Sequence, residues 1–182
     1  MVLSIWEKEV FLFFHRFHHP LLNDLMVFFS SNLVWIFPLF YFVFAIRNEK
    51  KKYQYFFLVI LLFLITDVTS GYFFKNIFQR LRPCRMEEIL PLLNNFNQKC
   101  GGKYGFFSSH ASNSVAFITF LFGLIKSKFN FVLGFFTFIV IYSRLYLGVH
   151  FPLDLIIGSL WGFICGKIFL WFAKELKGLN ET

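Results

Sequence analysis

Long apolar runs fill this chain, and short polar breaks divide them into pieces of helix length. A helix rising 1.5 Å per residue needs about 20 apolar residues to cross a bilayer. The pattern predicts spans over residues 21–46, 53–79, 109–125, 129–147 and 152–174, with a polar loop over 80–107. Residues 3–18 set Trp6, Phe11, Phe13 and Phe14 against Glu7, Lys8, Glu9, His15 and Arg16. That alternation predicts an amphipathic helix lying in the membrane interface, broken at His18-His19-Pro20. A sixth span within residues 3–20 is the competing topology. The expected fold class is all-α: a polytopic membrane helix bundle of five transmembrane helices plus an N-terminal interfacial helix. One domain is expected over residues 1–182, with 1–20 interfacial and 21–177 forming the bundle and its extracytoplasmic loop.

Composition strengthens this reading. The chain is 57% hydrophobic and holds 31 phenylalanines, more than a soluble core of this size can hide. Glu7, Lys8, Glu9 and Arg16 interrupt the first apolar run and no small-residue cleavage site follows, so no cleaved signal is expected. The net charge of +8 raises a nucleic-acid reading. The basic residues, however, flank membrane segments and form no stripe on a soluble surface, which excludes it. With alternating spans, the basic stretches at 47–52, 126–128 and 174–177 share one side, the cytoplasmic one by the positive-inside rule. The opposite side carries as many basic residues, but those have a separate explanation in ligand binding. Cys165 reads as a small buried hydrophobe. Cys84 and Cys100 bracket the polar loop, either as free thiols or as a disulfide if the loop lies outside the cytoplasm.

The chemistry-bearing residues gather on that opposite side. Charge beside hydrocarbon is expensive and usually marks function. Lys75 and Arg82 lie seven apart, which on one helix is two turns and a shared face, with Pro83 ending that helix. Arg80 and Arg85 read as interfacial snorkelling side chains. Ser108, Ser109 and His110 stand where the loop enters the third span; serine is a good N-cap, and a helix N-terminus offers free N–H groups to an anion. Ser143-Arg144 precedes His150, and Pro152 suits the first turn of the fifth span. Asp154 then falls in that turn, within reach of the His150 ring. A carboxylate on one ring nitrogen leaves the other free as base, nucleophile or ligand. Asp67, on the helix of Lys75, reads as structural, pairing with a polar neighbour. His15, His18 and His19 read as interfacial. No metal and no cofactor is expected, because three cations beside the histidines would repel a metal ion. Protein partners are not legible.

Lys75, six residues, Arg82-Pro83, then Ser108-Ser109-His110, then Ser143-Arg144, five residues, His150, three residues, Asp154, together resemble the motifs of the type 2 phosphatidic acid phosphatases. The middle motif departs, with Phe107 in place of Pro and Ser109 in place of Gly. The resemblance implies a metal-independent lipid-phosphate phosphatase working through a phosphohistidine. It implies His150 as nucleophile, Asp154 as its orienting partner and His110 as acid and base. Lys75, Arg82, Ser108, Ser109 and Arg144 would bind phosphate. It points to a bacterial inner-membrane enzyme with its site facing the periplasm. Lipid A 1-phosphate, undecaprenyl diphosphate and phosphatidylglycerophosphate are the candidate substrates. A lipid phosphotransferase using the same phosphohistidine is the alternative.

Overall fold

The computed structural model describes residues 4–93 and 100–178, without the side chain of residue 177. Among the described residues eight α-helices follow one another: α1 Ile5–His15, α2 Pro20–Phe29, α3 Ile36–Ile46, α4 Lys52–Asp67, α5 Lys75–Phe78, α6 Ser109–Leu124, α7 Phe129–Tyr146 and α8 Pro152–Gly178. A π-helical stretch, Val68–Phe74, joins α4 to α5, and a 3-10 turn, Asn32–Trp35, lies between α2 and α3.

Among the described residues three helices are long and apolar enough to cross a membrane: Lys52–Phe78, Phe129–Tyr146 and Pro152–Leu176. Their outward faces carry Phe57, Phe135, Phe138 and Trp171, more than half exposed, as lipid-facing surface requires. The first expected span is not one straight helix. Its two halves, Pro20–Phe29 and Asn32–Ile46, bend by 60°, and count as a fourth span only when taken together. The break falls at Ser30-Ser31-Asn32, where the Ser31 hydroxyl turns back to the Phe28 carbonyl at 2.8 Å. The third expected span is α6, of 16 residues. At 1.5 Å per residue it reaches about 24 Å, short of a hydrocarbon core of about 30 Å. Most of it is buried, so it runs through the middle of the bundle.

The central helix is gripped by α8. Gly158, Gly162 and Gly166 repeat every fourth residue and face α6 backbone. A Cβ at Gly162 would stand 2.2 Å from the Ser112 carbonyl oxygen, and one at Gly158 2.7 Å from that of Ser108. Small residues at this spacing let two helix backbones touch. This contact sets the distance between the start of α6 and the start of α8, where the motif residues sit. Gly162→Ala is expected to force the helices apart and cost about 3 kcal/mol, the upper end of overpacking penalties, read as thermal unfolding in detergent.

The N-terminal helix also departs from expectation. Glu7, Phe11 and His15 form its buried face, while Trp6 and Phe13 point outward. Phe11 packs edge-on against Phe151 with ring centroids 5.4 Å apart. A carboxylate thus enters the bundle on α1, and its partner lies in the site. His19 caps α2 through Nδ1, which accepts the Leu21 N–H at 3.3 Å. The Tyr146 hydroxyl donates to the His19 carbonyl at 2.8 Å.

Candidate active site

The three motifs converge at one end of the bundle. A cavity of about 480 Å³ is lined by Lys75, Arg82, Ser109, His110, Arg144 and His150. The basic turns are at the other end, where Glu49, Tyr55 and Lys126 line a common recess.

Each cation is held by local structure. Lys75 opens α5, and its Nζ donates to the Ser109 hydroxyl at 3.0 Å. The Ser70 hydroxyl, buried in the π-helical stretch, gives its one proton to the Thr66 carbonyl at 2.6 Å and so accepts from the Ser109 hydroxyl at 2.8 Å. Ser109 therefore contributes its side chain, and its backbone keeps negative φ, so the positive φ that would favour glycine is not used here. Phe107 fills the proline's place by packing on Phe74, with centroids 5.0 Å apart.

Arg82 does not share a helix with Lys75. The helix stops at Phe78, and Gln79 takes φ 45°, turning the chain. Arg82 then lies in extended backbone, beside an antiparallel bridge from Leu81 to Tyr104. Its Nε donates to the Tyr104 carbonyl at 3.2 Å. Cys84 and Cys100 are joined as a disulfide with Cα atoms 6.0 Å apart, tying the loop beside this arginine. Gly105 allows the loop to come close: a Cβ there would lie 3.1 Å from Arg82 Cγ and 3.4 Å from Asp154 Oδ2. Arg144, in the last turn of α7, donates from Nη1 to the Ser30 carbonyl at 3.0 Å and also to the Ser30 hydroxyl. The break in the first span therefore serves the site. His110 too is hydrogen-bonded to the Ser30 backbone, while its Nε2 is buried without a protein partner among the described residues.

Ser108 is the N-cap of α6, its hydroxyl accepting from the Ala111 N–H at 3.4 Å. Its own N–H donates to the Asp154 carbonyl at 3.1 Å, fastening α6 to α8. His150 lies in the turn before α8 and is 1% exposed. Burial, then the charges of Arg82, Arg144 and Lys75, hold its pKa well below the ordinary value, so the ring is neutral. Its Nδ1 is 3.4 Å from Asp154 Oδ2, longer than a well-formed hydrogen bond, and becomes an ion pair only if the ring is protonated. The same carboxylate oxygen accepts the Phe151 N–H at 2.9 Å.

Arg80 overturns the snorkelling expectation. It is 2% exposed and bridges two carboxylates. Nη1 donates to Asp154 Oδ1 at 2.9 Å and Nη2 to Glu7 Oε2 at 2.8 Å, with the guanidinium 4.7 Å over the Phe151 ring. The chain Glu7–Arg80–Asp154–His150 thus runs from the N-terminal helix to the candidate nucleophile. Arg85 stays at the surface, donating to the Gly101 carbonyl at 3.1 Å. Asp67 accepts from Asn113 Nδ2 at 2.9 Å, and both line the cavity.

The geometry agrees with what the chain resembles. The PAP2 superfamily model matches residues 53–177. A lipid A 4'-phosphatase of Porphyromonas gingivalis is 32% identical over 96% of this chain and 77% of its own length. A lipid A 4'-phosphatase of Bacteroides thetaiotaomicron is 31% identical over 99% of this chain and 82% of its own. The crystal structure of Aquifex aeolicus LpxE superimposes with a TM-score of 0.67 at 30% identity, covering 89% of this chain and 93% of that one. The chain belongs to the PAP2 superfamily, the type 2 phosphatidic acid phosphatases, and is a phosphoric-ester hydrolase.

Proposed function

We propose that this enzyme removes the 4'-phosphate of a lipid A-type glycolipid through a phosphohistidine at His150. The carrying observation is the convergence of Lys75, Arg82, Arg144, His110 and His150 on one cavity at the end of an apolar bundle. The 4' position is supported by the two lipid A 4'-phosphatases that this chain matches over most of their length. The Cys84–Cys100 disulfide supports an oxidising location for this end, the periplasmic face of a bacterial inner membrane.

Lys75, Arg82 and Arg144 hold the non-bridging oxygens, as fixed charges already in place before the transition state forms. Neutral His150 attacks phosphorus through Nε2. The N–P bond forms while the bond from phosphorus to the lipid oxygen breaks, and His110, which takes up a proton from solvent when the dianionic phosphate binds beside it, gives that proton to the leaving oxygen. The His150 ring becomes cationic, and its Nδ1–H faces the Asp154 carboxylate. His110, now neutral, takes a proton from water, whose oxygen attacks phosphorus and breaks the N–P bond. Phosphate leaves and both histidines return to their starting states.

The test is phosphate release by purified enzyme in detergent from four lipids. These are lipid A phosphorylated only at 4', lipid A phosphorylated only at 1, undecaprenyl diphosphate and phosphatidylglycerophosphate. The 4'-phosphate is expected to turn over fastest, with EDTA changing the rate by less than about twofold because side-chain cations supply the charge. Loss in EDTA restored by a divalent metal, or turnover of the other lipids alone, would refute the reading.

A further inference from the structure

The cavity lining carries two kinds of polar chemistry. One is cationic and suits phosphate. The other is acceptor-bearing and comes from Asp67 and Asn113, and Asn32, at the bend of the first span, lines the same cavity. A carboxylate only accepts hydrogen bonds, so the Asn113 amide must turn its NH2 toward Asp67, as the 2.9 Å contact records. The Asn113 carbonyl oxygen then has no protein partner among the described residues. Asn113 is 8% exposed and lines the cavity, and a buried polar atom left unpaired needs an explanation, which a donor group entering the cavity would supply. The π-helical stretch begins directly after Asp67, and both Asp67 and Lys75, on either side of it, line the same cavity. Such stretches are frequent at functional sites.

We infer that Asp67 and Asn113 form a headgroup subsite that accepts hydrogen bonds from hydroxyl or amide N–H groups of a sugar carrying the phosphate. This rests on the glycolipid reading above and says how the site would select it. A wall made of acceptors needs donors on the substrate. A sugar phosphate offers hydroxyl and amide donors next to the ester oxygen. A polyprenyl diphosphate offers none there, and its second phosphate would meet the Asp67 carboxylate. Phosphatidate offers neither donor. Buried acceptors discriminate strongly, because the wrong substrate leaves them unpaired.

Steady-state kinetics on 4'-phosphorylated lipid A, for wild type, Asn113→Leu and Asp67→Asn, test this. Asn113→Leu is expected to lower kcat/KM by about 10- to 100-fold, mostly through KM, as lost headgroup binding does. Asp67→Asn keeps an oxygen to accept from Asn113 and so guards against misfolding. It is expected to lower kcat/KM for the glycolipid while raising that for undecaprenyl diphosphate, since the opposing charge is gone. Wild-type kinetics in both variants would overturn the subsite, as would a fall in kcat at unchanged KM, which marks support of His110 instead. Wild-type turnover of undecaprenyl diphosphate or phosphatidate but not of lipid A would overturn the glycolipid reading itself, and the subsite with it.

Discussion

His150→Ala is expected to lower kcat for phosphate release by at least about 10⁴-fold, the scale on which removing a covalent nucleophile acts. No other side chain among the described residues lining the cavity is placed to replace it. Of the two histidines lining the cavity, His110 bonds the Ser30 backbone, whereas His150 has a carboxylate 3.4 Å from the ring nitrogen opposite the one that would attack. Stability should respond in the opposite direction at low pH. The folded pKa of His150 lies well below its ordinary value of about 6.5, so the unfolded chain binds a proton that the folded one refuses. Wild-type stability from this residue therefore falls as pH drops below about 6.5, and His150→Ala escapes that loss. Phosphate release at neutral pH and thermal unfolding in detergent between pH 7 and 5 check the two halves. Retention of a tenth of the activity, or parallel pH profiles of stability, would count against the assignment.

Arg80→Leu is expected to damage both fold and catalysis. The substitution leaves Glu7 and Asp154, both at most 2% exposed, without their shared cation. Removing one member of a buried charge network typically costs about 3–5 kcal/mol. Arg80→Lys is not expected to rescue it, because a single ammonium lacks the planar fork that reaches both carboxylates at 2.8 and 2.9 Å. Glu7→Gln should be milder, since its amide oxygen still accepts from Arg80 while Asp154 keeps its own contact. Thermal unfolding in detergent reads the stability, and phosphate release from the folded fraction reads the catalysis. An Arg80→Leu enzyme within 1 kcal/mol of wild type, at the level of an exposed pair, would show that the bridge does not hold Asp154.

The residues of the candidate site were legible because their chemistry is unusual beside hydrocarbon: Lys75, Arg144, His150 and Asp154 stand out in apolar sequence. Ser108 as N-cap and Pro152 opening α8 followed from local backbone rules, and both are found. The Lys75–Arg82 spacing misled, because a seven-residue interval fits two helical turns as well as a helix end that turns at Gln79. Arg80 and Arg85 look alike in sequence, and only tertiary packing decides which meets Glu7. The polar positions of α1 suggested a wet face, yet Glu7 and His15 lie on the dry one, because partners inside the bundle outweigh the local pattern. The bend at Ser30 did leave a signal: three small polar residues, Ser30-Ser31-Asn32, interrupt an apolar run. Its use as the carbonyl for Arg144 and His110 could not be read without the fold.

The most direct measurement is capture of the intermediate. Enzyme mixed with lipid A carrying a labelled 4'-phosphate is quenched in alkali within the first turnover, and the labelled peptide is sequenced. Label is expected on His150, stable in alkali and lost in acid, and absent from His150→Ala. Label on another residue, or phosphate release by His150→Ala at the wild-type rate, would contradict the assignment.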